Sequence, residues 1–207
     1  MDRKIIGLVG MSCYDIPILT ANVLNKLNCS ACLVDISKNK EFLSMYNDEL
    51  DEDFETFEFK GLTVSTIKSV PATAEYIFVY FGLDCDPKFV KICSEIWIIC
   101  GWKHFEMRKI KEFDFGDIPR FLVLRDSYLK DNQLAWLAEQ FSDIHITKDN
   151  VFYLDDSEAD NRFRYCIEYE NVLPLKKAGP SLKALAVNLL LPDFDRKTLQ
   201  GVIKSFK

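Results

Sequence analysis

The chain has 207 residues, 48 % hydrophobic and 28 % charged, enough for one large domain or two small ones with a sizeable core and too apolar for a disordered protein. Its 32 acidic residues outnumber 26 basic ones, for a net charge of −6, which argues against a protein that lives on bulk contact with nucleic acid. Eight glycines, about half of average usage, speak against a fold with several glycine-rich ligand loops.

Short apolar runs alternate with amphipathic stretches along the chain. Lys4–Val9 (KIIGLV) predicts a strand. Asp15–Leu27 predicts a helix, with Asp15 as N-cap and Pro17 in the first turn, where a missing N–H costs nothing. Ala31–Ile36 predicts a second buried strand, Ser37–Tyr46 a short helix, and Phe57–Ser65 an edge or hairpin strand. Tyr76–Phe81 (YIFVYF) suits a strand buried on both faces, followed by a short helix over Asp86–Cys93 and a central strand at Glu95–Cys100 (EIWIIC). Trp102–Phe113 reads as helix, Arg120–Leu124 as strand, and Leu129–Phe141 as a helix with Trp136 on its apolar face. A weak strand around Asp143–Ile146, a short one at Val151–Leu154 and a polar helix at Ser157–Tyr165 follow. Ser181–Leu191 is a strong helix ended by Pro192, and a last amphipathic helix starts near Phe194.

Continuous apolar strands separated by helices predict a three-layer α/β fold, with a mostly parallel central sheet covered by helices on both faces. The expected organisation is one domain over residues 1–193 and a C-terminal tail over 194–207. Ligands of such sheets bind at the carboxyl ends of the strands, so the first strand-to-helix turn, Gly10–Pro17 (GMSCYDIP), is the place to look.

The segment KIIGLVGMSCYDIPILTANVLNKLNCSACLVDIS resembles the start of the ParA/MinD family of P-loop ATPases. Members open with a strand, a K-G-G-V-G-K-S/T-T loop, a helix containing A-x-N-L-A, and a second strand ending in aspartate. Ala21-Asn22-Val23-Leu24 matches the helix element without a gap, and Asp35 matches the acidic end of strand two. The loop itself departs from the pattern. Met11 stands at the signature lysine, Ser12, Cys13, Tyr14 and Asp15 replace Gly-Gly-Val-Gly, Ile16 replaces the phosphate-binding lysine, and Pro17 replaces the magnesium-binding hydroxyl residue.

The resemblance implies a P-loop NTPase fold; the departures imply a lost site. In such a loop, successive N–H groups cradle the phosphates, the lysine neutralises their oxygens and the hydroxyl holds Mg²⁺. Ile16 carries no charge, Pro17 has neither N–H nor hydroxyl, and Asp15 repels phosphate. The family's Y-D-Y-I-I-I-D-x-P strand has its counterpart in Ala74–Tyr80, where Tyr80 replaces the metal-site aspartate. Cys85–Lys91, Glu95–Cys100 and Arg120–Leu124 resemble the next helix and two strands; Glu170–Pro174 and Ser181–Leu191 resemble the closing loop and helix.

Other chemistry carries a weaker signal. Seven cysteines without a framework read as reduced thiols, and the Cys29-x-x-Cys32 spacing lacks the second pair that zinc needs. Cys13 precedes a helix N-terminus, where a thiol pKa can fall, but His104 and His145 are lone, so an inert cysteine is expected. Residues 47–58 (NDELDEDFETFE) carry seven acidic residues and no basic one, and the rest of the chain sums to +1. A solvated loop is the default for that segment. In the tail, Leu199, Val202, Ile203 and Phe206 share one helical face flanked by Arg196, Lys197, Lys204 and Lys207. That face either docks on the body or meets a partner or an anionic membrane.

These features lead to a non-catalytic member of the ParA/MinD fold, a scaffold or positioning factor working through protein contacts. No cofactor is expected; ATP and Mg²⁺ belong only to the alternative, an atypical ATPase with a divergent loop. Expected partners are proteins, with a homodimer and a weak peripheral membrane contact through the tail also open, and nucleic acid is not expected. The expected location is cytoplasmic, at most peripheral to the inner face of the membrane. A generic doubly wound small-molecule binder also remains open; a phosphorylation receiver is disfavoured, since Gly10–Ser12 supplies no acidic pair.

Overall fold

The computed structural model describes residues 3–11, 13–44, 56–84, 86–125, 136, 139–155, 157–170 and 173–206. Ser12, Lys207, most of the acidic segment and most of the helix expected over 129–141 lie outside them.

Eight strands form one sheet: β1 (Lys4–Val9), β2 (Ala31–Asp35), β3 (Thr56–Phe59), β4 (Leu62–Ser65), β5 (Tyr76–Gly82), β6 (Glu95–Cys100), β7 (Arg120–Leu124) and β8 (Val151–Tyr153). Their order is β3-β4-β2-β5-β1-β6-β7-β8. Every pairing is parallel except β3 with β4, a hairpin at one edge. The helices are α1 (Asp15–Lys26), α2 (Glu41–Ser44), α3 (His104–Ile110), α4 (Glu158–Tyr169), α5 (Pro180–Leu190) and α6 (Arg196–Lys204), with a 3₁₀ turn over Pro87–Ile92.

The interiors of β1, β2, β5, β6 and β7 are apolar because both faces are covered, and their side chains alternate between two cores. Ile6, Leu33, Phe78, Tyr80, Trp97 and Ile99 join α1, α5 and α6 on one side. Val9, Val34, Val79, Phe81, Ile98 and Leu122 join α3 and the 3₁₀ turn on the other. Gly7 lies on the second side, where an added Cβ would sit 2.6 Å from Ile96 Cδ1 and 2.7 Å from Phe81.

Several sequence expectations need correction; the helix expected over Ser37–Tyr46, for one, begins only at Glu41. Around Asp143–Ile146 the chain forms a 3₁₀ turn over Ser142–Ile144 instead of a strand, and His145 in the left-handed region (φ 51°) breaks any extended run. Tyr14, not Asp15, is the N-cap of α1, and its side chain makes no capping bond.

The terminal helix packs on the body. The Asp195 carboxylate caps α6 by accepting from Thr198 N at 3.0 Å. Leu199 is 0 % and Phe206 6 % exposed in the first core, and Val202 and Ile203 pack against it half-buried. Phe194 stacks on Tyr76 with ring centroids 6.4 Å apart. Each fully buried side chain of this size contributes about 1.5–3 kcal/mol, so the face that membrane insertion would need already holds the helix to α1 and α5.

Candidate functional site

The chain direction reverses around β1. α1 carries it to β2 on one side, while β6 lies on the other, so the carboxyl end of β1 is the topological switch point of the sheet. The turn Gly10–Pro17 leaves from there. A register shift between Leu8 and Val9 lets Val9 pair with Gly82. Gly10 then adopts φ +141° and donates its N–H to Gly82 O at 3.0 Å. A Cβ at Gly10 would lie 2.0 Å from Ile99 O, so only glycine lets the chain leave β1 this close to β6.

Beyond Gly10 the turn is filled by the chain's own groups. Cys13 is fully buried. Asp15 is 0 % exposed in the first turn of α1, where its Oδ1 accepts from Ile16 N at 3.1 Å. A helix N-terminus attracts an anion; here Asp15 supplies one from within. Its charge is balanced by the guanidinium of Arg125, which follows β7 and is 9 % exposed at its side chain in a buried ion pair. Ile16 N also lies 3.2 Å from Cys13 O, Ile16 is buried in the first core, and Pro17 has no N–H.

The two acidic positions of the resemblance have diverged in role. Asp35 accepts from Ser37 N (2.9 Å), Ser37 Oγ (2.6 Å), Phe42 N (2.8 Å) and Leu43 N (3.2 Å), so its buried carboxylate ties the end of β2 to α2. Tyr80, its neighbour across the β2–β5 register, has its hydroxyl 2.5 Å from Glu41 Oε2 and 3.1 Å from Gly10 O. Burial above all, helped by its neighbours Cys13 and Glu41, holds the Tyr80 phenol protonated by pushing its pKa well up.

A cleft of about 340 Å³ opens beside the turn. It is lined by Met11, Tyr14, Phe42, Tyr80, Ser44 and the carboxylates of Glu41 and Glu168. Tyr14 donates its hydroxyl to Glu168 on α4. Met11 is exposed at 40 %, whereas Ile16 faces inward, so Met11, Tyr14 and Ile16 do not share one surface.

A triphosphate with Mg²⁺ does not fit this donor set. The described lining contains two carboxylates and no lysine or arginine, and the nearby Arg125 is paired with Asp15. Among the described residues no group of three His, Cys, Asp or Glu side chains could hold a metal ion. Phosphate oxygens placed here would face like charges in a partly desolvated cleft.

The remaining candidate residues are scattered. Cys29 and Cys32 face opposite cores, so their spacing brings no thiol pair together. Burial pushes the Cys13 thiol far up, away from the reactive thiolate range. His104 and His145 are exposed. Arg125, Glu41 and Glu168 are the site residues that sequence reasoning missed. For Arg125 a signal existed, a charge at the carboxyl end of the apolar run RFLVL; the two glutamates look like ordinary surface residues of amphipathic stretches.

No protein-family profile matches the chain, and no curated protein matches it either. Solved structures do. A ParA family ATPase from Chlorobium tepidum TLS superposes with a TM-score of 0.60 at 14 % identity, covering 91 % of this chain and 99 % of that one. MinD from Aquifex aeolicus gives 0.60 at 11 % identity, covering 93 % and 98 %. The MinC:MinD cell division complex from the same organism gives 0.59 at 12 % identity with the same coverage. The fold is therefore of the ParA/MinD type, a P-loop NTPase-like α/β architecture over nearly the whole chain.

Proposed function

We propose that this ParA/MinD-type chain is a non-catalytic scaffold or spatial-positioning factor that works in the cytoplasm through protein contacts. One observation carries the reading. The helix N-terminus that serves phosphate in intact P-loops holds the Asp15 carboxylate, locked by Arg125. The missing lysines and hydroxyl at Met11, Ile16 and Pro17, and the tyrosine at position 80, support the same reading. A MinD of this fold is found in complex with MinC, and protein association is the role we carry over. Membrane attachment through α6 forms no part of the proposal, because Leu199 and Phe206 are already buried in the body.

Calorimetric titration with ATP and Mg²⁺ tests it. No saturable heat up to millimolar nucleotide and no phosphate release are expected. Saturable, Mg²⁺-dependent binding accompanied by turnover would replace this reading with that of a divergent ATPase.

A further inference from the structure

The cleft beside the turn is not merely a phosphate site that has closed. It is open, and the charged residues of its described lining are acidic. Glu41 and Glu168 both face it, and neither makes an ion pair with a described residue. Tyr80 and Tyr14 each direct a hydroxyl at one of the two carboxylates. An ionised carboxylate has about four lone-pair sites, so acceptor capacity is left toward the cleft. Of the aromatic rings that line it, Tyr14 is partly exposed, while Phe42 and Tyr80 are buried and in edge contact at 6.3 Å between ring centroids. Met11 adds a flexible thioether at the mouth.

A tyrosine ring beside two carboxylates that meet no cation among the described residues forms surroundings that favour a desolvated organic cation. A bare ammonium is more strongly hydrated than a guanidinium, which is planar, stacks on aromatic rings and bonds carboxylates through two parallel N–H groups. A doubly anionic partner is repelled by the same walls. The chain runs from Ser44, at the rim, into the seven acidic residues of 47–58 within a few residues. That charge has the sign that attracts a basic partner.

We propose that this cleft receives an arginine side chain presented by a protein partner, and that it does so at the switch point where intact relatives of the fold place phosphates. The inference deepens the protein-contact reading and rests on it for the nature of the partner.

Proton–nitrogen NMR titration of the full chain tests it, with N-acetyl-arginine methylamide as the probe and the uncharged isostere N-acetyl-citrulline methylamide as control. The expected result is saturable shifts of the Met11, Tyr14, Phe42 and Ser44 amides with the arginine probe. Binding should be about tenfold weaker for citrulline and for Glu168→Gln, in line with loss of a charge-assisted pair. Added salt should weaken it further. Ser44→Lys, a change at the exposed rim, should weaken binding as well and stands in if Glu168→Gln fails to fold. Equal binding of the two probes, or no shift at these amides, overturns the proposal. Spermidine binding more tightly than the capped arginine overturns the protein source in favour of a small free cation. Parallel ATP titrations separate the two readings. Arginine binding alongside ATP binding removes the non-catalytic reading alone, and neither ligand binding removes the arginine site alone.

Discussion

The two ends of β1 both carry buried charge, and they use it differently. At the amino end, Lys4 Nζ lies 2.8 Å from Asp193 and 3.1 Å from Glu95, and Glu95 also accepts from Trp97 Nε1 at 2.5 Å. Each group there has a partner, and the cluster stitches β1, β6 and the segment after α5 together. At the carboxyl end, Asp15 and Arg125 are equally well paired, yet among the described residues Glu41 and Glu168 meet tyrosine hydroxyls and no cation. Carboxylates without a counter-charge in a partly desolvated cleft cost stability. On the proposed reading, the carboxyl end is the working face and the amino end a support.

Breaking the pair at the carboxyl end should have the largest effect. Arg125→Met leaves the Asp15 carboxylate buried and uncompensated, a loss of about 3–5 kcal/mol for such pairs, read as a lowered urea midpoint. Asp15→Asn combined with Arg125→Met should lose clearly less than the single change, since no charge is then stranded. If the single variant unfolds like the native chain, the two residues do not hold the turn.

Gly10→Ala should follow. The Cβ would press on Ile99 O from a backbone at φ +141°, and strain of this kind costs about 1–3 kcal/mol. Chemical denaturation gives the number, and loss of the arginine-probe shifts at Met11 would show that the same glycine shapes the cleft.

The amino end should respond more mildly and with a pH signature. Lys4→Met should cost about 1 kcal/mol at neutral pH, the scale of a partly exposed hydrogen-bonded ion pair. Burial alone would lower the Lys4 pKa, but the Asp193 hydrogen bond and the Glu95 charge outweigh it and leave it raised. The stabilisation is therefore fully present below the ordinary lysine pKa and disappears as pH rises through the raised folded value. The difference between native and Lys4→Met stability should shrink over that alkaline window. A constant difference would mean that the lysine acts through packing alone.

The smallest effect is chemical. Burial raises the Cys13 thiol, so N-ethylmaleimide followed by peptide mapping should leave Cys13 unmodified in the native protein at neutral pH. Rapid labelling would show that the turn opens readily and that Asp15 and Arg125 do not close it.

The strands at Lys4–Val9, Glu95–Cys100 and Arg120–Leu124 were legible residue for residue. Uninterrupted apolar runs of four or five residues behind a charged first residue admit few other solutions. α3 is shorter than the stretch Trp102–Phe113 suggested, because Trp102 and Lys103 lie outside the helix and Lys103 is already its N-cap. The stretch 143–146 misled for the opposite reason: an apolar pair there fills the second core from a 3₁₀ turn. The departures from the phosphate-loop pattern were visible because each is a local substitution at a position defined by spacing. The pairing of Asp15 with Arg125, 110 residues away, was not.

By itself, then, the sequence determined the alternating layers, the position of the first turn, the absence of lysine from it and the absence of a hydroxyl at position 17. Local periodicity and residue chemistry suffice for those. Only the tertiary structure decided that Asp15 fills its own helix terminus, that Asp35 is fully engaged with α2, and that Glu41 and Glu168 meet across an aromatic cleft. Charge pairing and burial depend on distances through space, and those distances are set by which strand ends the folded sheet brings side by side.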